Sequence, residues 1–382
     1  MRIYLDNAAT TALDKAVVDA MLPYMTEHFG NPSSIHSFGS KVRAAIEQSR
    51  KKVATLLNAS PSEIFFTSGG TEADNMAIRC AVQTYGISHA ISSPIEHHAV
   101  SHTLEELAHN KKINLSLLDI DAKGNINLGQ LESLLQKNPN SLVSLMHGNN
   151  EIGTLNDLEA IGELCEKYHS YFHSDTVQTV GHFPLDLNHL KVHAMAGAGH
   201  KFHGPKGVGF LYMKADKKIN PFITGGSQER NMRGGTENVY GIVGLAKALE
   251  IAVTEMETHK QYISQIKAYM MQKLRETFSD IRFNGESGNL ENSLYTVLNV
   301  SLPPADDNDM LLFNLDIHKI AASGGSACSS GSSVGSHVLS AIKAEKGRGN
   351  VRFSFSKYNT IEEINYTVNK LAEIYKLVEV TM

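Results

Sequence analysis

Thiols are the scarcest chemistry in this chain. Cys80, Cys165 and Cys328 are the only cysteines in 382 residues, far apart and odd in number. That argues against a disulfide framework and makes a reducing cytoplasm the simplest location. No apolar run is long enough to span a bilayer, and the N-terminal MRIYLDNAATT lacks the apolar core of a signal peptide. No Lys/Arg block stands out and the net charge is −5, so neither a membrane nor nucleic acid is an expected partner. Internal repeats and low-complexity tails are also missing. What remains is an ordinary globular composition, 42% hydrophobic and 20% charged, with length enough for two or three domains.

Short apolar runs alternate with helical patterns through the first two-thirds of the chain. IFFTS (64–68), HAISS (89–93), LVSLMH (142–147), YFHSD (171–175) and GVGFLYM (207–213) read as buried strands. Amphipathic stretches such as 99–109 and 157–169 lie between them, a spacing that predicts a largely parallel α/β sheet. From 239 to 278 the pattern is helical in two long segments. Strands at 296–302 and 351–356, a helix around 309–315 and a last helix opened by Thr360 and Glu363 follow. This sets the expected division near residue 255: a large α/β domain over 15–255, and a small α+β domain from 1–14 plus 256–382.

The chemistry-bearing stretches cluster at strand ends. SGGTEADN (68–75) follows a strand and opens a helix, so backbone N–H groups around Gly70 and Thr71 suit a phosphate. It is not a P-loop, since no GK[ST] follows, and an ordinary helix start is the competing reading. Asp175 ends a hydrophobic strand, at the edge where α/β sheets bind ligands. A carboxylate there can hold a heterocyclic nitrogen protonated, or simply cap the next turn. In GAGHKFHGPKG (197–207) both Lys201 and Lys206 are candidates for a Schiff-base lysine. Lys201 follows a strand and shares the sheet edge with Asp175, whereas Lys206 sits in a Gly-Pro turn.

Histidines are plentiful, 18 in all. His98 and His102 have the i,i+4 spacing of metal ligands, with His200 and His203 as further candidates. No HExxH occurs and no cysteine lies within ligand spacing of another, so no metal is expected. His97 opens the helix after HAISSP, where its ring could cover a flat cofactor. Thr236, in RGGTEN (233–238), occupies another Gly-rich turn. Arg352, in VRFSF, is placed to clamp a carboxylate if it faces a cleft. A phosphate pocket, an Asp, a Lys, a ring-stacking His and a carboxylate clamp are together what a pyridoxal phosphate enzyme requires.

The ordered motifs resemble those of the cysteine desulfurases, in the class V aminotransferase group of fold-type I pyridoxal phosphate enzymes. YLDNAATT, FGNPSSIHSFG, FTSGGTEADN, EHH (96–98), HGNNEIG, HSDTVQTVG, GHKFHGPKGVGFLY, RGGTENV, SGGSACSSGS and VRFSFSKYNT carry the resemblance. It implies a mainly parallel seven-stranded type of sheet in the large domain and an α+β C-terminal domain. By the same resemblance Lys201 bonds the cofactor, Asp175 pairs with its pyridine nitrogen and His97 stacks on its ring. Gln178 then contacts the phenolic oxygen, and Gly70, Thr71 and His200 the phosphate. Thr236 matches a phosphate contact supplied by the partner subunit, which implies a homodimer. Asn150, also near the cofactor, and Arg352 match contacts to the substrate carboxylate. Cys328 aligns with the nucleophile that takes sulfur from L-cysteine, leaving L-alanine and a persulfide for an acceptor protein.

Two positions depart from the resemblance. Ala198 stands where the family usually has a phosphate-binding Ser, and Gly324 where Ser is common. Housekeeping members also carry a longer tail that docks an iron–sulfur scaffold, whereas this chain ends soon after its last helix. The stretch SGGSACSSGSS (323–333) has the composition of a flexible coil and predicts a mobile arm for Cys328. Rival readings are an aminotransferase or selenocysteine lyase sharing the pocket, a zinc hydrolase built on His98 and His102, and a non-catalytic sulfur carrier needing only Cys328.

Overall fold

The computed structural model describes residues 1–217, 219–305, 308–324 and 335–377. Cys328 and most of its Ser/Gly stretch therefore lie outside the described residues. A short strand β1 (Ile3–Tyr4) leads into helices α1 (Lys15–Thr26) and α2 (Ser37–Leu56). Alternation then begins with β2 (Ile64–Thr67), α3 (Gly70–Tyr85), β3 (His89–Ser92), α4 (His98–His109) and β4 (Asn114–Leu117). It continues through α5 (Leu128–Lys137), β5 (Leu142–Ser144), α6 (Leu158–Lys167), β6 (Tyr171–Asp175), β7 (Ala194–Ala198) and β8 (Gly209–Met213). Two long helices, α7 (Val239–Thr254) and α8 (Met256–Thr277), precede β9 (Arg282–Phe283), β10 (Val297–Pro304) and α9 (Leu311–Ile317). The chain closes with β11 (Ile320–Ala321), α10 (His337–Ala341), β12 (Arg348–Ser354) and α11 (Ile361–Ile374).

Seven strands form one sheet in the order β2-β8-β7-β6-β5-β3-β4. All neighbours run parallel except β8, which is antiparallel to both β2 and β7. The expected parallel α/β sheet is therefore present, with one reversed strand. Central strands such as β6 and β7 are buried at every position, as strands covered on both faces are, although β6 ends in the polar His173, Ser174 and Asp175. The sequence reading missed β4, whose NLSL is half exposed at the sheet edge and alternates over only four residues, too short a run to stand out.

The remaining strands make a three-stranded antiparallel sheet, β12-β10-β9, and a parallel pair, β1-β11. Two apolar clusters flank the seven-stranded sheet, and another gathers Leu298, Val300, Val351 and Phe353 against α8 and α11. Ile3 and Leu5 of the N-terminus join this last cluster. The capping box read from Thr360 and Glu363 is formed: Glu363 N–H donates to Thr360 Oγ1, and Thr360 N–H to the Glu363 carboxylate.

This topology concentrates chemistry at one edge. Asp175 and Ala198 end neighbouring parallel strands, and antiparallel β8 brings Gly209 opposite Ala198. Thr67, paired with Gly209, delivers the start of α3 to the same edge.

Candidate active site

A cavity of about 200 Å³ opens at that edge. Its walls include Gly70, Thr71, His97, Asn150, Asp175, Gln178, His200, Lys201 and Arg352. Nine of the positions singled out from sequence thus share one cavity, although they span 283 residues of chain.

One end is an anion seat. Helix α3 starts at Gly70 with no side-chain cap on its N-terminus, leaving first-turn N–H groups for an anion. A side chain at Gly70 would meet Val177 Cγ2 at 2.6 Å, so glycine keeps this floor open. His200 lines the seat, with Nδ1 3.2 Å from Thr10 Oγ1, and burial lowers its pKa to about 4, leaving it neutral. Ala198, 1% exposed, lines the cavity too and offers no hydroxyl.

The middle would suit a flat heterocycle. Asp175 accepts the Val177 N–H at 2.9 Å, which steadies one carboxylate oxygen. His97 caps α4 by accepting the Ala99 N–H at Nδ1, 3.1 Å away. That bond assigns the ring proton of neutral His97 to Nε2. Burial is the main cause lowering its pKa, against the opposing pull of Asp175. Gln178 Nε2 donates to the Ala8 carbonyl at 3.0 Å. Lys201 Nζ reaches the carbonyls of Ala8 and Ala9, at 2.6 and 2.9 Å.

The far end is cationic. Arg352 is 1% exposed, donates to the Asn150 carbonyl (3.0 Å) and pairs with Asp6 (2.8 Å). Its Nε is buried with no hydrogen-bond partner among the described residues, an unspent donor on a charged group. A phosphate seat, a carboxylate for a pyridine nitrogen, an amine and a guanidinium with a donor to spare fit pyridoxal phosphate and an amino-acid substrate.

Thr236 is not brought into this cavity; it is exposed beside a separate pocket with Ser68, Gly207 and Arg233. The zinc constellation does not assemble. His98 and His102 stack 4.5 Å apart and His98 Nε2 lies 3.2 Å from His337 Nδ1. His200 and His203 instead bond Thr10 and the Ala12 carbonyl. Among the described residues no group of three or more His, Cys, Asp or Glu could hold a metal ion. Cys80 and Cys165 are buried and unpaired with each other, and desolvation raises both thiols, Cys80 to about 11.

Sequence reasoning missed a second tier of acids. Asp74 lines the cavity and is 1% exposed, with Oδ1 3.3 Å from buried His173 Nε2 but poorly aligned for a hydrogen bond. Burial, then repulsion from Asp175 and Glu96, pushes Asp74 well above the usual carboxylate range. Glu96 accepts from Met146 N–H and Ser93 Oγ–H, and burial raises it to about 8. Both therefore favour the neutral acid. The one available signal was i,i+4 spacing from Gly70 to Asp74, which puts them on one helix face.

The class-V aminotransferase family profile matches residues 3–367. The cysteine desulfurase IscS of Dictyoglomus turgidum is 44% identical over 97% of this chain and 94% of its own length. That of Methanosarcina thermophila is 41% identical over 97% and 91%. Among solved structures, a NifS-like protein superposes with a TM-score of 0.91 at 36% identity, covering 99% of this chain and all of that one. A structure described as SspA in complex with cysteine gives 0.82 at 31%, over 94% and 100%.

Proposed function

This chain belongs to the class-V aminotransferase family and is a pyridoxal phosphate-dependent cysteine desulfurase, and from that premise we propose how its own residues divide the work. The observation that carries the assignment is the cavity at the sheet edge, which gathers Gly70, Asp175, Lys201 and Arg352. Gly70, Thr71 and His200 hold the cofactor phosphate, Asp175 its pyridine nitrogen, Gln178 its phenolic oxygen and His97 its ring face. Lys201 is the cofactor lysine. Arg352 and Asn150 hold the carboxylate of L-cysteine. The bound cofactor supplies electron withdrawal from the substrate α-carbon.

Lys201 Nζ, freed by the substrate amine, carries protons between substrate carbons, and the Ala8 and Ala9 carbonyls accept from it when charged. Neutral His97 keeps water from one face and offers its Nε2 proton toward the cavity. The Cys328 thiolate forms an S–S bond to the substrate sulfur as the C–S bond breaks. The electron pair of that bond stays on carbon and is protonated, so alanine leaves and Cys328 holds a persulfide. Cys328 lies outside the described residues, yet both flanks of its segment support this role. Ser323 exchanges backbone hydrogen bonds with Arg352, at 3.2 and 2.6 Å. Ser336 Oγ donates to Glu151, one residue from Asn150, at 2.5 Å.

A homodimer completes the reading. Thr236 is exposed outside its own cavity, as a group serving a neighbour's phosphate would be. Val18, Leu22, Met25, Phe29 and Phe38 expose apolar surface on and beside α1 and α2, a patch suited to a second copy. The acceptor is a protein able to take a persulfide, an iron–sulfur scaffold being one such. Scarce, unpaired thiols support a cytoplasmic setting; no helix among the described residues is long and apolar enough to cross a membrane. Division into domains 15–255 and 1–14 plus 256–382 is supported by the separate apolar cluster around β10 and β12.

The deciding experiment incubates the cofactor-loaded protein with L-cysteine and measures alanine together with peptide mass at Cys328. One added sulfur atom on Cys328 is expected, absent in Cys328→Ser. Full sulfide release by Cys328→Ser would falsify the assignment.

A further inference from the structure

His182 stands just beyond the turn after β6, outside the cavity lining described above. Its Nε2 is 3.1 Å from the Lys201 carbonyl, and its Nδ1 is 3.0 Å from Tyr295 Oη. A carbonyl oxygen only accepts, so His182 Nε2 carries the proton of the neutral ring. Nδ1 is then a lone pair, and the Tyr295 hydroxyl must donate to it. The His182 carbonyl, 3.3 Å from the same hydroxyl, is a longer, second acceptor for its one proton, so the shorter contact to Nδ1 takes it. Ring geometry agrees, edge to face with centroids 5.8 Å apart.

The pair sits where two cores meet: Val180 lies in the core under the large sheet, and Phe183 packs against the core that holds Tyr295. Tyr295, 3% exposed, belongs to the cluster around β10 and β12, whereas Phe202, next to Lys201, belongs to the cluster under the large sheet. Close packing fixes the His182 end: Gly181 has φ +77, and a side chain there would press on Ala252 and Phe202 at 3.0 and 3.2 Å. Burial lowers the His182 pKa, in keeping with the neutral ring that the bonding pattern requires.

We propose that His182 and Tyr295 form a positioning pair that ties the Lys201 main chain to the β10–β12 half of the molecule. Tyr295 sets the ring proton of His182, and His182 sets the Lys201 carbonyl, hence the direction of its side chain. The pair touches neither cofactor nor substrate; it acts through Lys201, and the inference rests on Lys201 being the cofactor lysine.

The test compares two amides of different reach. Gln at 182 can place an N–H where imidazole Nε2 lies; Asn reaches only as far as Nδ1. Apo-protein is mixed with pyridoxal phosphate and growth of the visible protein-bound band is timed, with thermal midpoints measured alongside. His182→Asn should slow band formation roughly tenfold and Tyr295→Phe about threefold, as expected for loss of one or two ordinary hydrogen bonds. His182→Gln should stay within about twofold of the parent, at a thermal midpoint close to that of His182→Asn. The double variant His182→Asn/Tyr295→Phe should be no slower than His182→Asn alone, because both changes break one chain. Equal rates for the Gln and Asn variants, or additive effects in the double variant, overturn the proposal. Lys201→Ala separates the premise from the inference: if it still forms the band, the cofactor-lysine reading itself fails.

Discussion

Lys267 carries a charge-bearing amine into the core, and its cost should be visible as a pH dependence of stability. On α8 the side chain is fully buried, with Nζ donating to Ser293 Oγ and the Leu294 carbonyl, both at 2.9 Å. Neither acceptor is charged, and desolvation lowers the amine from 10.5 to about 7. Unfolded, the lysine binds its proton up to about pH 10.5, so between pH 7 and 10.5 the unfolded chain holds the extra proton and stability rises with pH. Integrated over those two pKa values, the group costs about 4 kcal/mol at pH 7 and about 2 kcal/mol at pH 9. Lys267→Met removes that term and adds a pH-independent loss of two hydrogen bonds. Urea unfolding of cofactor-loaded protein, parent and variant, should be run at pH 7, 8 and 9. Other titrations cancel in the difference between the two, which should shift by about 2 kcal/mol in favour of the parent as pH rises. A difference constant to within about 0.5 kcal/mol would show that Lys267 is solvated in the folded state, and the reasoning fails.

Three substitutions probe the cavity itself. Ala198→Ser adds a hydroxyl beside the helix start of α3 and should tighten pyridoxal phosphate about fivefold, the worth of one ordinary hydrogen bond; titration of apo-protein shows it, and unchanged or weaker binding refutes it. Asp74→Asn replaces an acid already held neutral by a neutral isostere, so the cofactor's visible spectrum and affinity should hardly move; a loss beyond about tenfold would mean Asp74 is ionised. Arg352→Lys keeps the charge but loses the planar fork, so KM for cysteine should rise by roughly tenfold or more, and near-parent KM would remove Arg352 from the carboxylate clamp.

Residues that sequence could place share a feature: their roles follow from position at the end of an element. Asp175 ends a strand, His97 caps a helix and Gly70 starts one, so strand–helix alternation alone brought them to a common edge. Lys201 shared that property and Lys206 did not. Asp74, Glu96 and His173 were illegible because their meaning lies in desolvation and in each other, which only packing creates. His182 and Tyr295 were hidden more deeply, since their bond joins positions 113 apart in the chain. Strand β4 escaped for the opposite reason: an exposed edge strand needs little apolar pattern, and its neighbour β3 supplies the register.

The linker-like composition around Cys328 first suggested a thiol free to travel. Its anchors set a limit on that freedom. Ser323 is bonded to the strand that carries Arg352, and Ser336 to Glu151 beside Asn150. The described residues on both flanks of the segment are therefore held beside Arg352 and Asn150, the pair proposed for the substrate carboxylate. If Cys328 takes the sulfur as proposed, an acceptor protein is expected at the mouth of the cavity rather than at a distant face. On the proposed role of Cys328, the same anchors decide where sulfur can be handed over.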